Sequence, residues 1–232
     1  MELEKKYQQD PTHTLPIPYW KHKKTSVRED MVIVSDEKYN EVLYREFIDT
    51  KYYRLEHDLL NLKLGKIGSH YSFSTYKTND TFNIYNLIKE CYKEDELQFE
   101  KIERLVKDET FNNLLCVFLY CDKYYMIEKN IVNINKIGPR KEKKLKPIGM
   151  ILANFDEETK EASIEYLCII EKYRKKGLGK LLIQEILLRI SNIAEFATVT
   201  YPIESEYNLD NLFRSCGFTG DAVWHVLKKT IT

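Results

Sequence analysis

Neither sign of charge is in surplus: 36 basic residues balance 36 acidic ones over 232 positions, giving zero formal net charge and a pI near 7.0. That balance removes any global attraction to nucleic acid or acidic lipid. Apolar runs such as Ile148–Ala153 and Leu181–Ile183 fall far short of the roughly 18 residues a membrane span needs. Neither nucleic acid nor membrane is therefore an expected partner. The opening residues, Met1-Glu-Leu-Glu-Lys-Lys-Tyr-Gln-Gln, lack the apolar stretch of a signal peptide, so the cytoplasm is the expected location. Glycine and proline are scarce, 8 and 6 residues, which excludes collagen-like and low-complexity chains. The five cysteines are odd in number and contain no Cys-x-x-Cys pair, a usage that fits free buried thiols in a reducing compartment.

Apolar material is plentiful. Hydrophobic residues make up 43% and aromatics 12%, with 17 Tyr and 10 Phe, enough for a true core and too much for wholesale disorder. At roughly 100–200 residues per domain the length allows one domain with an extension, or two small ones. Residues 1–30 hold Pro11, Pro16 and Pro18, a density that predicts extended backbone rather than helix. Met31–Val34 predicts a strand, Asp36 an N-cap with a helix through Tyr44 and Phe47, and Tyr53–Leu64 a further helix. Gly65 and Gly68 then punctuate the chain, and a boundary near residue 70 separates a 1–70 extension, serving as lid or packing arm, from a 71–232 domain.

Beyond that boundary strands and helices alternate. Strands are expected at Tyr71–Lys77, Asn113–Tyr120, Pro147–Phe155, Ala162–Ile170, Ala197–Tyr201 and Val223–Lys228. Helices are expected from Thr81 to about Tyr92, capped by Asp80, and at Glu96–Lys107. Two more follow, one starting after Gly177 and running to about Ser191, the other at Leu209–Cys216 with Gly217 at its stop. Pro147–Phe155 and Ala162–Ile170, with the polar connection Asp156-Glu157-Glu158-Thr159-Lys160 between them, form an antiparallel hairpin. The basic stretch Asp122–Lys146, with eight basic and three acidic residues, reads as a solvated loop, with a nucleic-acid patch as the sharper alternative.

The chemistry lies in Glu171-Lys172-Tyr173-Arg174-Lys175-Lys176-Gly177-Leu178-Gly179-Lys180. A strand that delivers a basic, glycine-bearing turn into a helix start places unpaired amides and partial positive charge at one point, which suits phosphate groups. Spacing separates the ligand classes. A P-loop would need glycine where Arg174 stands and Ser or Thr where Leu181 stands, and a dinucleotide fingerprint would need glycine at Leu182. The pattern that is met in full is Arg-x-x-Gly-x-Gly, at Arg174, Gly177 and Gly179.

This pattern resembles the acetyl-CoA pyrophosphate loop of the GNAT superfamily of N-acetyltransferases. Tyr166–Arg174 resembles that family's fourth strand and its exit, and Cys216-Gly217-Phe218 its late Gly-Phe; the likeness covers about residues 71–232. It implies a mixed α/β fold, a mainly antiparallel sheet with one splayed parallel pair. It also implies acetyl-CoA as cosubstrate, without a metal, and transfer of an acetyl or other acyl group to a primary amine in a ternary complex. The backbone of Lys175, Lys176, Gly177, Leu178, Gly179 and Lys180, with Arg174 beside it, would hold the pyrophosphate. Leu167 and Ile169 would pair with the pantetheine arm beside the splayed neighbour Ala197–Tyr201.

An amine must lose a proton to attack, and a carboxylate is the usual helper. Glu165 shares a strand face with Leu167 and Ile169 and is the candidate base, with an ordinary polar strand residue as the bland reading and Glu171 as runner-up. In the resemblance a tyrosine four residues before the late glycine protonates the thiolate; that position here is Phe213, and Tyr201 or Tyr207 are its substitutes. A non-catalytic acyl-CoA-binding module and an interaction protein that has lost its cofactor are the rival functions. The acceptor is left open among polyamine, aminoglycoside, amino acid and protein terminus, and a homodimer is an admissible assembly. His13, His22, His57, His70 and His225 share no metal-ligand spacing, Cys168 reads as core, and Trp20 and Trp224 as packing residues.

Overall fold

The computed structural model describes residues 2–24, 30–93, 96–121 and 146–229. Its first elements are helices α1 (Glu2–Gln9), α2 (Pro11–Thr14) and α3 (Tyr19–Lys24), then strands β1 (Met31–Ser35), β2 (Phe47–His57) and β3 (Tyr71–Thr75). Helices α4 (Thr81–Tyr92) and α5 (Phe99–Lys107) precede β4 (Phe111–Cys121), β5 (Gly149–Asp156) and β6 (Glu161–Ile169). The chain closes with α6 (Leu178–Ile190), β7 (Phe196–Pro202), α7 (Leu209–Arg214) and β8 (Thr219–Lys229). The strands run in the order β1-β8-β2-β7-β6-β5-β4-β3. The fold is mixed α/β and the sheet mainly antiparallel, with β6–β7 as the parallel pair, as the sequence leads one to expect. Of the basic stretch Asp122–Lys146, only Lys146 is among the described residues.

The chain divides into two compact units, one comprising Met1–Leu62, Phe155–Glu165 and Ile190–Thr232, the other Lys63–Asn154 and Tyr166–Arg189. The core of the second unit gathers Ile84, Leu87, Ile88 and Cys91 of α4, Leu97, and Ile102 of α5. Against them lie alternate strand residues: Cys116 and Phe118 of β4, Met150 and Leu152 of β5, and Cys168 of β6. The residues between, Leu115, Val117, Leu119, Ile151 and Ala153, are also fully buried, so β4 and β5 are covered on both faces. The β5–β6 turn is held by Asp156, whose Oδ2 accepts from the Thr159 N–H at 2.9 Å and the Thr159 hydroxyl at 2.8 Å.

In the first unit β2 is a central strand, paired with β7 from Tyr52↔Pro202 to His57↔Ala197 and with β8 from Phe47↔Lys229. Fully buried Arg54 extends from it to the Tyr7 hydroxyl at 2.8 Å, Glu161 at 3.1 Å and Thr200 at 3.1 Å. Tyr7 of α1 in turn donates to Glu161 at 2.6 Å. Burial raises the Glu161 carboxyl above its ordinary value, and the Arg54 guanidinium pulls it back down. Three sequence expectations are corrected in this unit.

Residues 1–30 were expected to be extended, yet α1, α2 and α3 lie there. Residues 2–9 contain no proline, Pro11 takes the first turn of α2, where its missing N–H costs nothing, and Pro16 and Pro18 fall between helices. Asp36 starts a single 3-10 turn, Asp36–Lys38, rather than a helix through Tyr44. Val42 and Leu43 beyond it are 77% and 67% exposed, so no apolar face rewards a helix there. The expected helix over Tyr53–Leu64 is strand β2 followed by a turn, where Leu59 and Asn61 adopt φ of 58° and 53°. Its leucines mimic helical spacing across that turn, while Ile48, Thr50, Tyr52 and Tyr53 suit a strand.

Candidate active site

The exit from β6 is built by local backbone geometry. The Ile170 N–H bonds to the Ile148 carbonyl at 3.0 Å, closing the hairpin, and a 3-10 turn over Glu171–Tyr173 sends Tyr173 fully into the interior. Arg174 is extended, and its Nε donates to the Ile169 carbonyl at 2.8 Å. Lys175 and Gly177 then take φ of 59° and 76°. A β-carbon at Gly177 would meet no atom within 4 Å, so glycine is required there by its dihedral and not by crowding. Lys175, Lys176 and Gly177 are exposed.

Leu178, 2% exposed, anchors the start of α6, and the Leu181 N–H makes the first bond back, to Gly177 O at 3.1 Å. The amides of Leu178, Gly179 and Lys180 therefore have no carbonyl one turn earlier, and the helix dipole adds partial positive charge where they point. A helix start reached through an exposed turn, with Lys175, Lys176 and Lys180 in the same stretch, is chemically suited to phosphate groups.

Strand β6 changes character along its length. Its ladder with β7 runs from Glu161↔Phe196 to Ile164↔Val199, although β6 continues to Ile169 and β7 to Pro202. Residues 161–164 are buried, and Glu165, Tyr166 and Leu167 are only partly so. Ile170 bonds toward β5, so the backbone groups of Leu167 and Ile169, of opposite parity, face away from β5. The Ile169 carbonyl is taken by Arg174. The Tyr92 hydroxyl lies 3.4 Å from Leu167 O and 3.3 Å from Leu167 N.

Leu167, Ile169, Arg174 and the 175–180 loop thus fall within one compact unit, and Glu165 is the last residue of the other unit's share of β6. Glu165 is 16% exposed at its side chain; its Oε2 pairs with Lys21 Nζ of α3, and its Oε1 has no protein hydrogen-bond partner. Glu171 is exposed. Phe213 is buried, stacked on Tyr201 at 5.3 Å and edge-on to Phe218 at 5.4 Å. The Tyr201 hydroxyl donates to Asp210 at 2.9 Å, and both that carboxylate and burial raise it above the ordinary phenol value, burial the more. Lys21 and Tyr92 are the neighbours that sequence reasoning missed. Their partners lie 144 and 75 positions away, and no local pattern signals such pairs.

Among the described residues no group of three His, Cys, Asp or Glu side chains could hold a metal ion, and no helix is long and apolar enough to cross a membrane. A model of the acetyltransferase (GNAT) family matches residues 83–218, more than half of the chain. The chain belongs to the GNAT acetyltransferase family.

Solved structures agree with that GNAT fold. The chain is similar to a GCN5-related N-acetyltransferase from Sphaerobacter thermophilus, at 12% identity and a TM-score of 0.64, over 90% of this chain and 63% of that one. It is similar to a Drosophila protein at 14% identity and a TM-score of 0.59, over 92% and 66%. A GNAT-family acetyltransferase from Colwellia psychrerythraea follows at 10% and 0.55, over 86% and 65%. The chain spans less than two thirds of the length of each of these three proteins. No curated protein matches it.

Proposed function

We propose that this GNAT chain transfers an acetyl or other acyl group from acetyl-CoA to a primary amine by direct attack in a ternary complex. The observation that carries the proposal is the loop at Gly177, exposed, left-handed and open where a side chain would stand, at the start of α6. The residues present suit a nucleotide-tailed thioester: backbone amides of 175–180 for the pyrophosphate, with Lys175, Lys176 and Lys180 for charge. Acetyl-CoA would supply an activated thioester carbonyl. Leu167 offers a strand N–H to that carbonyl oxygen as charge builds there, a donor of the kind typically worth a few kcal/mol. Arg174 acts as a positioning residue, tying the loop to the end of β6 through Ile169.

Glu165 is the base in this reading. Lys21 holds one carboxylate oxygen, leaving Oε1 to take the amine proton directly or through water. Residues 1–70 serve as a packing arm to a 71–232 acetyltransferase domain, since Lys21 of α3 fixes the Glu165 carboxylate and Tyr19 and Trp20 beside it are buried. A second reading, a non-catalytic acyl-CoA-binding module, is favoured by Phe213, a packing residue without a hydroxyl where the family resemblance looks for a tyrosine.

Titration calorimetry with CoA on wild type and Gly177→Glu tests the site. The variant should stay folded and lose affinity about a hundred-fold or more, because like charges about 4 Å apart near a protein surface repel by about 4 kcal/mol before screening. Equal affinity in the two proteins would refute the loop. CoA binding without thiol release across a broad amine panel would instead favour the non-catalytic module.

A further inference from the structure

The proposed reaction expels a thiolate, and neither Phe213 nor Tyr201 has a hydroxyl free to stabilise it. Phe213 has no hydroxyl, and Tyr201 is turned onto Asp210. Tyr92 stands elsewhere, in the same compact unit as the Gly177 loop. It is the last residue of α4, where Lys93 takes φ of 54° and stops the helix. Its neighbour Cys91 is packed in one core cluster with Cys168, the neighbour of Leu167. Two adjacent pairings, Cys91 with Cys168 and Tyr92 with Leu167, therefore fix where the phenol reaches β6.

The hydroxyl donates to the Leu167 carbonyl at 3.4 Å and accepts from the Leu167 N–H at 3.3 Å. Both distances are long for bonds to a hydroxyl, so the phenol is held in place yet cheaply redirected. Its ring stands edge-on to Tyr166 at 5.9 Å and 83°. Tyr92 is half-exposed, and the desolvation it does undergo raises the phenol above its ordinary value, so at neutral pH it is a donor and not a phenolate.

We propose that Tyr92 is the hydrogen-bond donor to the departing sulfur, turning from the Leu167 backbone onto the thioester once the acyl donor lies along β6. This rests on the reading of Leu167 as the strand amide that meets the acyl carbonyl. The amine nitrogen bonds to the acyl carbon, the carbon–sulfur bond breaks, and its electron pair stays on sulfur beneath the Tyr92 O–H. The amine proton leaves through Glu165 or water, and the thiolate takes a proton from water. The sum is an amide and free CoA thiol, with Tyr92 unchanged.

The test needs no acceptor. CoA carrying carbon-13 next to sulfur is bound to wild type and to Tyr92→Phe, and the thiol is titrated by its carbon shift. In wild type the bound thiol should ionise lower than in the variant by about one pH unit, a tenfold gain in thiolate at a given pH, with CoA affinity within about threefold, as loss of one donor to the anion alone requires. Equal thiol titration in the two proteins would overturn the proposal, as would tighter CoA binding by Tyr92→Phe with no change in titration, the signature of a mere cap on the strand edge. Failure of wild type to bind CoA would remove the β6 reading itself, a distinct result. In the ligand-free protein the Leu167 amide resonance should move on Tyr92→Phe; an unmoved resonance denies the contact.

Discussion

The two oxygens of Glu165 face different circumstances: one is committed to Lys21, the other has no protein partner. The oxygen without a protein partner is the one whose lone pair is open to the amine proton. Glu165→Gln should therefore lower turnover by about a hundred-fold, within the usual range for loss of a general base, while CoA affinity measured by calorimetry stays unchanged. Turnover equal to wild type would make the pair an ordinary strand contact. The Gly177 loop was legible from sequence because its requirements are local, a left-handed residue and a helix start within six positions. Lys21 and Tyr92 were not, since only the fold brings α3 and α4 to β6.

Elements differ in how openly the sequence announces them. From Tyr71 onward each strand and helix has its own unbroken period, and α4, β4, β6 and α6 lie within a few residues of expectation. Between Asp36 and Leu64 the periods mislead: leucines belonging to a turn imitate a helix, while β2 takes its place from pairing with β7 and β8, which no local pattern encodes. The N-terminal helices show the same dependence. Helix α1 has eight residues, too few to persist alone in water, and is docked by Tyr7 between Arg54 and Glu161. Tyr7→Phe leaves Glu161 one buried hydrogen bond short and should cost about 1–3 kcal/mol, the usual penalty for an unsatisfied buried group, read as a lower urea midpoint. An unchanged midpoint would show that α1 is held by packing alone.

At the scale of the whole molecule, acid is a point of vulnerability. His57 accepts the Leu59 N–H at Nδ1, 2.8 Å away, and its Nε2 donates to the Cys216 carbonyl at 3.2 Å. Both ring nitrogens are thereby assigned, and the imidazole is neutral. A second proton would have to displace Leu59, and burial lowers the proton affinity below the ordinary histidine value of 6.5, the Cys216 carbonyl opposing it in part. As pH falls below about 6.5 the unfolded chain binds that proton more readily than the folded one, so the His57 contribution is complete above about 6.5 and lost on acidification. Melting temperature followed from about pH 7.5 to about pH 5.5 should fall more steeply in wild type than in His57→Gln; parallel curves would exclude this histidine as the cause. Gly217 belongs to the same arrangement, since a β-carbon there would stand 2.6 Å from His57 Nε2, a constraint that the sequence showed only as a helix stop.

The two tryptophans of the chain, Trp20 in α3 and Trp224 on β8, are 4% and 8% exposed, and the Trp224 indole N–H bonds to the Thr12 carbonyl at 2.8 Å. Both indoles thus report on the seating of the first two dozen residues. Their emission colour is an intrinsic gauge of that seating: a red shift arriving ahead of circular-dichroism loss would time the release of the amino-terminal segment without any added label.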